Sequence, residues 1–193
     1  MNISGAFDNV FKPRLIYNFR ERRVSAVLVR WIESFLQNRS TTIKTFEGES
    51  EKFDVLNEIP QGSSSSPIIF LFFIANLLDT VNCDNLRTSA VGFVDDINVL
   101  TYSPITAENC RRLKEIHRRC SQWAAKHEAK FAPDKYEVIH FSRTSRKFDM
   151  TATPRIEGVR PNASDSVRIL GVQVDSKLKW GPHMRKIHER YTS

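Results

Sequence analysis

Two short apolar runs, residues 89–93 and 97–101, enclose a pair of adjacent carboxylates, Asp95 and Asp96. Runs of this length and spacing predict the arms of a tight antiparallel hairpin with the acids at its bend. Asp is a common turn residue because it bonds its own backbone, and a turn-only role is the competing reading. The apolar flanks favour a different one. They place two like charges at the edge of a buried sheet, which is costly unless a cation offsets them. Hard oxygen ligands of this type suit magnesium, an ion that phosphoryl transfer uses to activate the attacking oxygen and neutralise the leaving group.

The rest of the chain supplies a core for such a hairpin. With 193 residues, 40% hydrophobic and 26% charged, it fits one domain spanning 1–193 or a large part of a bigger one, and disorder is not expected as its overall state. Pro13 is placed to open a helix. Val24, Val27, Leu28, Trp31, Ile32, Phe35 and Leu36 recur at three- and four-residue steps and predict one apolar helical face. Thr41, Ile43 and Thr45 alternate as a strand, with a return at 53–56 around Gly48. Residues 57–66 have loop composition. From Pro67 an apolar stretch predicts a buried helix, well short of the about 20 residues that span a bilayer.

Residues 106–130 predict an amphipathic helix that buries Cys110, Leu113, Ile116, Cys120, Trp123 and Ala124 and carries Arg111, Arg112, Arg118 and Arg119 on its outer side. Strands are predicted at 136–142 and 167–174, and a final helix from Pro182. No internal repeat is present.

Charge is uneven. Residues 1–110 hold 10 Lys+Arg against 13 Asp+Glu, whereas residues 111–193 hold 19 against 9. The second half is the candidate surface for a polyanion, weighed against ordinary solvated helix faces. Cys83, Cys110 and Cys120 form no C-x-x-C pair and have no His at metal spacing, so neither a zinc site nor a disulfide framework is indicated. No secretory pattern opens the sequence. The expected setting is intracellular, in nucleus or cytoplasm, without a membrane.

Several motifs in order then carry a resemblance. Phe93, Val94, Asp95 and Asp96 are similar to the Phe/Tyr-x-Asp-Asp motif of reverse transcriptases. Ile3, Ser4, Gly5, Ala6, Phe7 and Asp8 resemble the first motif of that family's palm. Ile59, Pro60, Gln61, Gly62 and Ser63, followed by Ser66 and Pro67, resemble the second. Residues 135–141, beginning at Lys135, resemble the fourth, and Ile169, Leu170, Gly171 and Val172 resemble the segment that grips the primer. The wording is similar to that of non-LTR (LINE-type) retrotransposons common in fungi. The resemblance implies an α+β fold, the palm of a right-hand polymerase, with a ferredoxin-like antiparallel sheet and helices packed on one face.

It also implies an RNA-directed DNA polymerase using two-metal nucleotidyl transfer, with Mg2+ or Mn2+ as cofactor and an RNA template, a DNA primer and deoxynucleoside triphosphates as partners. Asp95 and Asp96 take the catalytic and metal-binding roles. Phe7, Gln61, Gly62 and Lys135 take the nucleotide-binding roles, and Leu170 and Gly171 contact the primer. Core packing for Phe7, an ordinary turn for Gln61 and Gly62, and simple solvation for Lys135 remain the competing readings.

Departures from the family pattern shape the expectation of activity. Asn2 occupies the third carboxylate position, and an amide brings no negative charge; the α-amino group of Met1 adds a positive one. Asp8 lies some 20 Å further along an extended chain, at about 3.3 Å per residue, and cannot replace it. Glu58 stands where the family has Gly, and Ser64 and Ser65 where it has Pro-Leu, which predicts backbone strain at 58 and a costlier loop. Fingers, thumb and endonuclease regions are expected to lie outside these residues. The chain is therefore expected to be inactive alone; the alternative is a non-catalytic nucleic-acid-binding remnant of a mobile element.

Overall fold

A computed structural model describes residues 1–46, 48–55, 57–142, 148–156 and 158–192. The chain begins with a short strand, β1 (Ile3–Ser4), and turns over residues 5–9 into helix α1 (Lys12–Glu21), where Pro13 sits in the first turn. Helix α2 (Ala26–Leu36) follows, capped by the Ser25 hydroxyl, which accepts from the Leu28 N–H. Two small ladders come next. β2 (Ser40–Thr41) pairs with β5 (Phe53–Asp54), and β3 (Lys44–Thr45) pairs with β4 (Gly48–Glu49).

Apolar helix α3 (Ser66–Val81) leads into strands β6 (Thr88–Phe93) and β7 (Asp96–Thr101), then the long helix α4 (Thr106–His127) and strand β8 (Lys130–Phe131). The described chain closes with β9 (Ser166–Ile169), β10 (Val172–Asp175) and α5 (Gly181–Thr192).

Four strands meet in space. β6 and β7 form the expected hairpin, with Phe93 opposite Asp96 and only Val94 and Asp95 between them. Val94 adopts φ +51°, the left-handed geometry a two-residue hairpin loop requires of at least one residue. β7 then meets the N-terminal strand through an antiparallel bridge between Asn2 and Asp96. The Ile3 N–H donates to the Asp95 carbonyl at 3.0 Å, and the Ile97 N–H donates to the Met1 carbonyl at 2.9 Å. β1 pairs on its other side with β8, Ile3 opposite Phe131. The resulting order is β6-β7-β1-β8, antiparallel throughout.

Helices α3 and α4 pack together and cover one face of this arrangement. Gly92 shows how closely: a Cβ there would lie 3.0 Å from Leu78 Cδ2 and 3.3 Å from Ile74 Cδ1 of α3. Because side chains alternate along a strand, Ile97, opposite Gly92, also faces the helices and is buried. Val91 and Phe93 point to the other face and are exposed. Phe70, Phe73, Ile74 and Leu77 of α3 join Ile116, Cys120 and Trp123 of α4 in one core with Leu15 and Phe19 of α1. Phe73 meets both Phe70 and Trp123 at ring-centroid distances of 5.8 and 5.6 Å. Among the described residues no helix is long and apolar enough to cross a membrane.

Several expectations are corrected. The described part of 136–142 forms no strand beyond one parallel bridge, Val138 to Ala163, because it has no continuous partner. The single strand expected at 167–174 is a hairpin, broken by Leu170 and Gly171, both at positive φ. Helix α2 buries Val29, Ile32 and Leu36, while Val27, Leu28 and Trp31 stay exposed, so its apolar stripe is wider than the face that packs. Glu58 is not among the residues with positive φ, and the expected strain there does not exist. The return expected at 53–56 is seen as far as β5; Leu56 lies outside the described residues.

Phe73→Ala is expected to destabilise the chain by about 3–5 kcal/mol, the range for emptying a well-packed aromatic site. Urea denaturation measures it; a loss under 1 kcal/mol would mean that α3 and α4 do not share this core.

Candidate functional site

Antiparallel strands alternate between hydrogen-bonded pairs and pairs without mutual bonds, and in the latter the side chains stand closest. Asn2 and Asp96 are such a pair, since the flanking bonds run from Ile3 to Asp95 and from Ile97 to Met1. Their side chains therefore project together from the face that the helices leave open. Asp95, in the hairpin loop, leans in beside them. The Asn2 Nδ2 group donates to Asp95 Oδ2 and to Asp96 Oδ1, both at 3.1 Å.

One amide thus holds two carboxylates, from residues more than 90 positions apart. Asp95 is half-buried and Asp96 exposed, so the pair is less desolvated than a buried sheet edge implies. The sequence identifies Asn2 as a position lacking charge; the structure shows it as a hydrogen-bond donor to both acids. Local pattern gave no signal for that, because a donor is recognised only once its acceptors are in place.

Among the described residues no group of three or more His, Cys, Asp or Glu stands together. The open face thus presents two adjacent carboxylates, Asp95 and Asp96, with an amide bonded to both.

The loop before α3 forms a second feature. Phe7, Gln61, Gly62, Ser63, Ser64, Ser66 and Pro67 line a cavity of about 400 Å3. Phe7 is half-buried, its ring 5.2 Å from that of Phe70, so it both packs on the core and lines the cavity. The Phe7 carbonyl accepts from the Ile59 N–H at 2.9 Å, and the Ser66 hydroxyl donates to the Pro60 carbonyl at 2.5 Å. Gly62 takes φ +86°, a conformation glycine adopts without penalty. Gln61 Nε2 donates to Asp8 Oδ1 at 2.7 Å, a link that the sequence reading missed because the partners are 53 residues apart.

Three further candidates lie outside this cavity lining. Lys135 ends a single 3-10 turn, Pro133–Lys135, and is exposed. Leu170 and Gly171 form the tip of the β9–β10 hairpin, both exposed. At the end of that hairpin Asp175 organises the turn leading to α5, its carboxylate accepting from the N–H groups of Lys177, Lys179 and Trp180 at 3.1, 3.1 and 2.6 Å. These bonds, that to Lys179 first, hold the Asp175 carboxyl below its ordinary range.

Comparison with known proteins gives consistent matches. The family described as reverse transcriptase (RNA-dependent DNA polymerase) matches residues 1–174. The chain is 26% identical over 196 residues to an "RNA-directed DNA polymerase from mobile element jockey" of Drosophila funebris, covering 99% of this chain and 21% of that protein. It is 25% identical over 198 residues to a "Probable RNA-directed DNA polymerase from transposon BS" of Drosophila melanogaster, covering 98% of this chain and 21% of that protein. The chain thus spans about a fifth of the length of these relatives.

Asn2→Asp exchanges a donor for a third carboxylate. With EDTA present, the variant is expected to be about 1–3 kcal/mol less stable than the parent, from lost charge-assisted bonds and added like-charge repulsion. It is also expected to bind Mn2+ at least tenfold more tightly. Thermal unfolding with EDTA and calorimetric Mn2+ titration read the two effects; a variant indifferent to both would separate residue 2 from the acid pair.

Proposed function

This chain belongs to the reverse transcriptase (RNA-dependent DNA polymerase) family, in its non-LTR retrotransposon branch, and on that premise we propose that it is the palm of an RNA-directed DNA polymerase whose catalytic site is disabled at Asn2. The observation that carries this reading is the convergence of Asn2, Asp95 and Asp96 across the strand bridge. The strand order β6-β7-β1-β8, with α3 and α4 on one face, supports the ferredoxin-like palm. Its open face then receives an RNA template and a DNA primer.

Asp95 and Asp96 would hold a divalent cation, magnesium or manganese. Such an ion neutralises charge that develops on phosphoryl oxygens. The side chains around them perform the remaining tasks. Phe7 takes the position beneath the incoming deoxynucleoside triphosphate, where its ring leaves no room for a 2′-hydroxyl. Gln61 and Gly62 face the nascent base pair, and Asp8 fixes the Gln61 amide. Lys135 offers a cation for the triphosphate. Leu170 and Gly171, at the hairpin tip, touch the primer strand.

Catalysis fails in this reading for an electrostatic reason. Two cations held about 4 Å apart repel strongly, and carboxylates must offset that repulsion. Here one of the three is an amide, which donates hydrogen bonds into the acid pair.

The direct test is primer extension on poly(rA) with oligo(dT), using the chain as it stands and either Mg2+ or Mn2+. No incorporation above background is expected. Robust incorporation that Asp95→Ala abolishes would overturn the disabled site and establish an active polymerase. In an active longer form carrying Asp at position 2, Phe7→Ala is expected to admit ribonucleotides. An unchanged deoxy-to-ribo preference would return Phe7 to a purely core role beside Phe70.

A further inference from the structure

The loop between α1 and α2 carries a sequence pattern that the polymerase reading does not use. Arg22 and Arg23 stand three and two residues before Ser25, with Ala26 and Val27 after it. Protein kinases choose their substrates largely by charge pattern. A kinase with an acidic substrate groove reads arginines at those two positions, because each guanidinium meets a carboxylate in a bidentate, charge-assisted pair. The hydroxyl that follows is then the acceptor.

The pattern occurs twice in the chain, and the fold separates the two copies. Arg118, Arg119 and Ser121 lie inside α4. There both arginines are bonded to Glu115, at 2.8 and 3.0 Å, and the Ser121 hydroxyl lies 3.4 Å from His117 Nδ1. Presenting that copy in extended form would unwind a 22-residue helix that holds Ile116, Cys120 and Trp123 in the core. The first copy is placed differently. Residues 22–25 belong to neither helix, and Arg22, Arg23 and Ser25 are exposed. Ser25 itself sits close to polyproline II geometry, at φ −57° and ψ 141°.

Little holds this loop against a kinase. Arg23 takes φ +56°, a left-handed conformation that is costly for a residue with a Cβ, so straightening it relieves strain. None of the ion pairs among the described residues includes Arg23. Arg22 is paired with the exposed Asp79, and a surface pair of this kind is worth about 1 kcal/mol or less. The Ser25 hydroxyl accepts from the Leu28 N–H at 3.4 Å, which is long for such a bond. What must be released is the backbone closure of α1, from the Arg23 and Val24 N–H groups to the Arg20 and Phe19 carbonyls at 3.0 and 3.1 Å, together with the partial cover that Val24 has on the core.

We propose that Ser25 is a phosphorylation site for an arginine-directed protein kinase, and that its phosphate then caps α2. In the transfer, Ser25 Oγ attacks the γ-phosphorus of ATP. The Oγ–P bond forms, the bond from that phosphorus to the β,γ-bridging oxygen breaks and its electrons leave with ADP, and the hydroxyl proton passes to a carboxylate of the kinase. The product carries nearly two negative charges and three acceptor oxygens. It stands at the first turn of α2, where the Val27 and Leu28 N–H groups have no intrahelical partner and the helix dipole favours an anion.

The test uses the full folded chain, ATP and the catalytic subunit of cyclic-AMP-dependent protein kinase as the arginine-directed probe, read by intact and peptide mass spectrometry. Close to one phosphate per chain is expected, on Ser25. Ser25→Ala is expected to lose it, and Arg22→Gln/Arg23→Gln to lower kcat/KM at least about tenfold, as for loss of a charge-assisted pair. Ser121→Ala is expected to leave the rate unchanged. The phosphorylated chain is expected to melt about 2–4 °C above the parent, from the added cap.

Phosphate that persists in Ser25→Ala would overturn the assignment, as would a rate indifferent to the arginine change. A folded chain that stays unmodified would overturn it as well, and modification of a peptide spanning residues 19–29 alone would show that the fold withholds Ser25. An unchanged or lower melting temperature after phosphorylation would overturn the cap. Circular dichroism melts show that each variant is folded, so that a lost phosphate is read as a lost acceptor or recognition residue.

Discussion

The bridge between Asn2 and Asp96 is the contact on which both sheet and site depend. It is a single residue pair, flanked by backbone bonds at 3.0 and 2.9 Å, yet it joins the β6–β7 hairpin to the β1–β8 ladder. Its register has no slack. A slip of one residue would turn Asn2 toward the helices and bring the buried Ile3 to the open face, because side chains alternate with period two. The apolar burial of Ile3 and Ile97 therefore fixes which side chains reach the acid pair. Core packing and site chemistry are set by the same register.

How far the sequence reveals this depends on whether an element's partner is near or far. Hairpin β6–β7 was legible because both arms and the two-residue loop lie within 14 residues. Helices α3 and α4 were legible because their apolar content is carried by the helix itself. Family membership was legible from the order of motifs, although the roles of individual residues rest on resemblance. The strand expected at 136–142 failed because an alternating pattern needs a neighbouring strand, and Val138 finds only a one-residue bridge with Ala163. Helix α2 shows the same limit. Its periodicity marks seven apolar positions, of which only Ile32 and Leu36 are buried, while Val29, outside that set, is buried with them; packing between elements, α1 against α2 among them, decides which residues are covered.

Charge counting meets a similar limit. The arginine pairs of α4 suggest a basic face, but each pair lies three and four residues after a glutamate, where side chains on a helix meet. Arg111 and Arg112 both bond Glu108, and Arg118 and Arg119 both bond Glu115. These bonds hold the Glu108 and Glu115 carboxyls low, each at about 2. Arg112 is also largely buried, its Nη1 on the Tyr102 carbonyl at 2.8 Å. Six charges in these two clusters leave a net of only +2. Arg14 of α1 and Lys126 of α4, which have no ion pair among the described residues, line one cavity although they stand 112 positions apart, a pairing that no local window could have assembled.

A common device recurs at the open face and in the loop beside it. Asn2 donates to Asp95 and Asp96, and Gln61 donates to Asp8, so each acid that the motifs single out is held by an amide. Amides satisfy a carboxylate's lone pairs without supplying charge. Hydrogen bonds to charged groups are worth about 1.5–3 kcal/mol, less where solvent reaches them. Each carboxylate keeps a second oxygen, but in the proposed reading a cation bridging the acids on the Asn2 side would compete with the amide for Asp95 Oδ2 and Asp96 Oδ1. In that reading a nucleotide contacting the Gln61 amide would likewise compete with Asp8. The two cases differ in consequence: moving Gln61 away from Asp8 leaves an exposed carboxylate that water can solvate, whereas removing Asn2 leaves two adjacent carboxylates facing one another. Under the proposed function, the residue that stabilises the acid pair would thus be the one that competes with a metal there, and Asn2→Asp is expected to move stability and metal affinity in opposite directions.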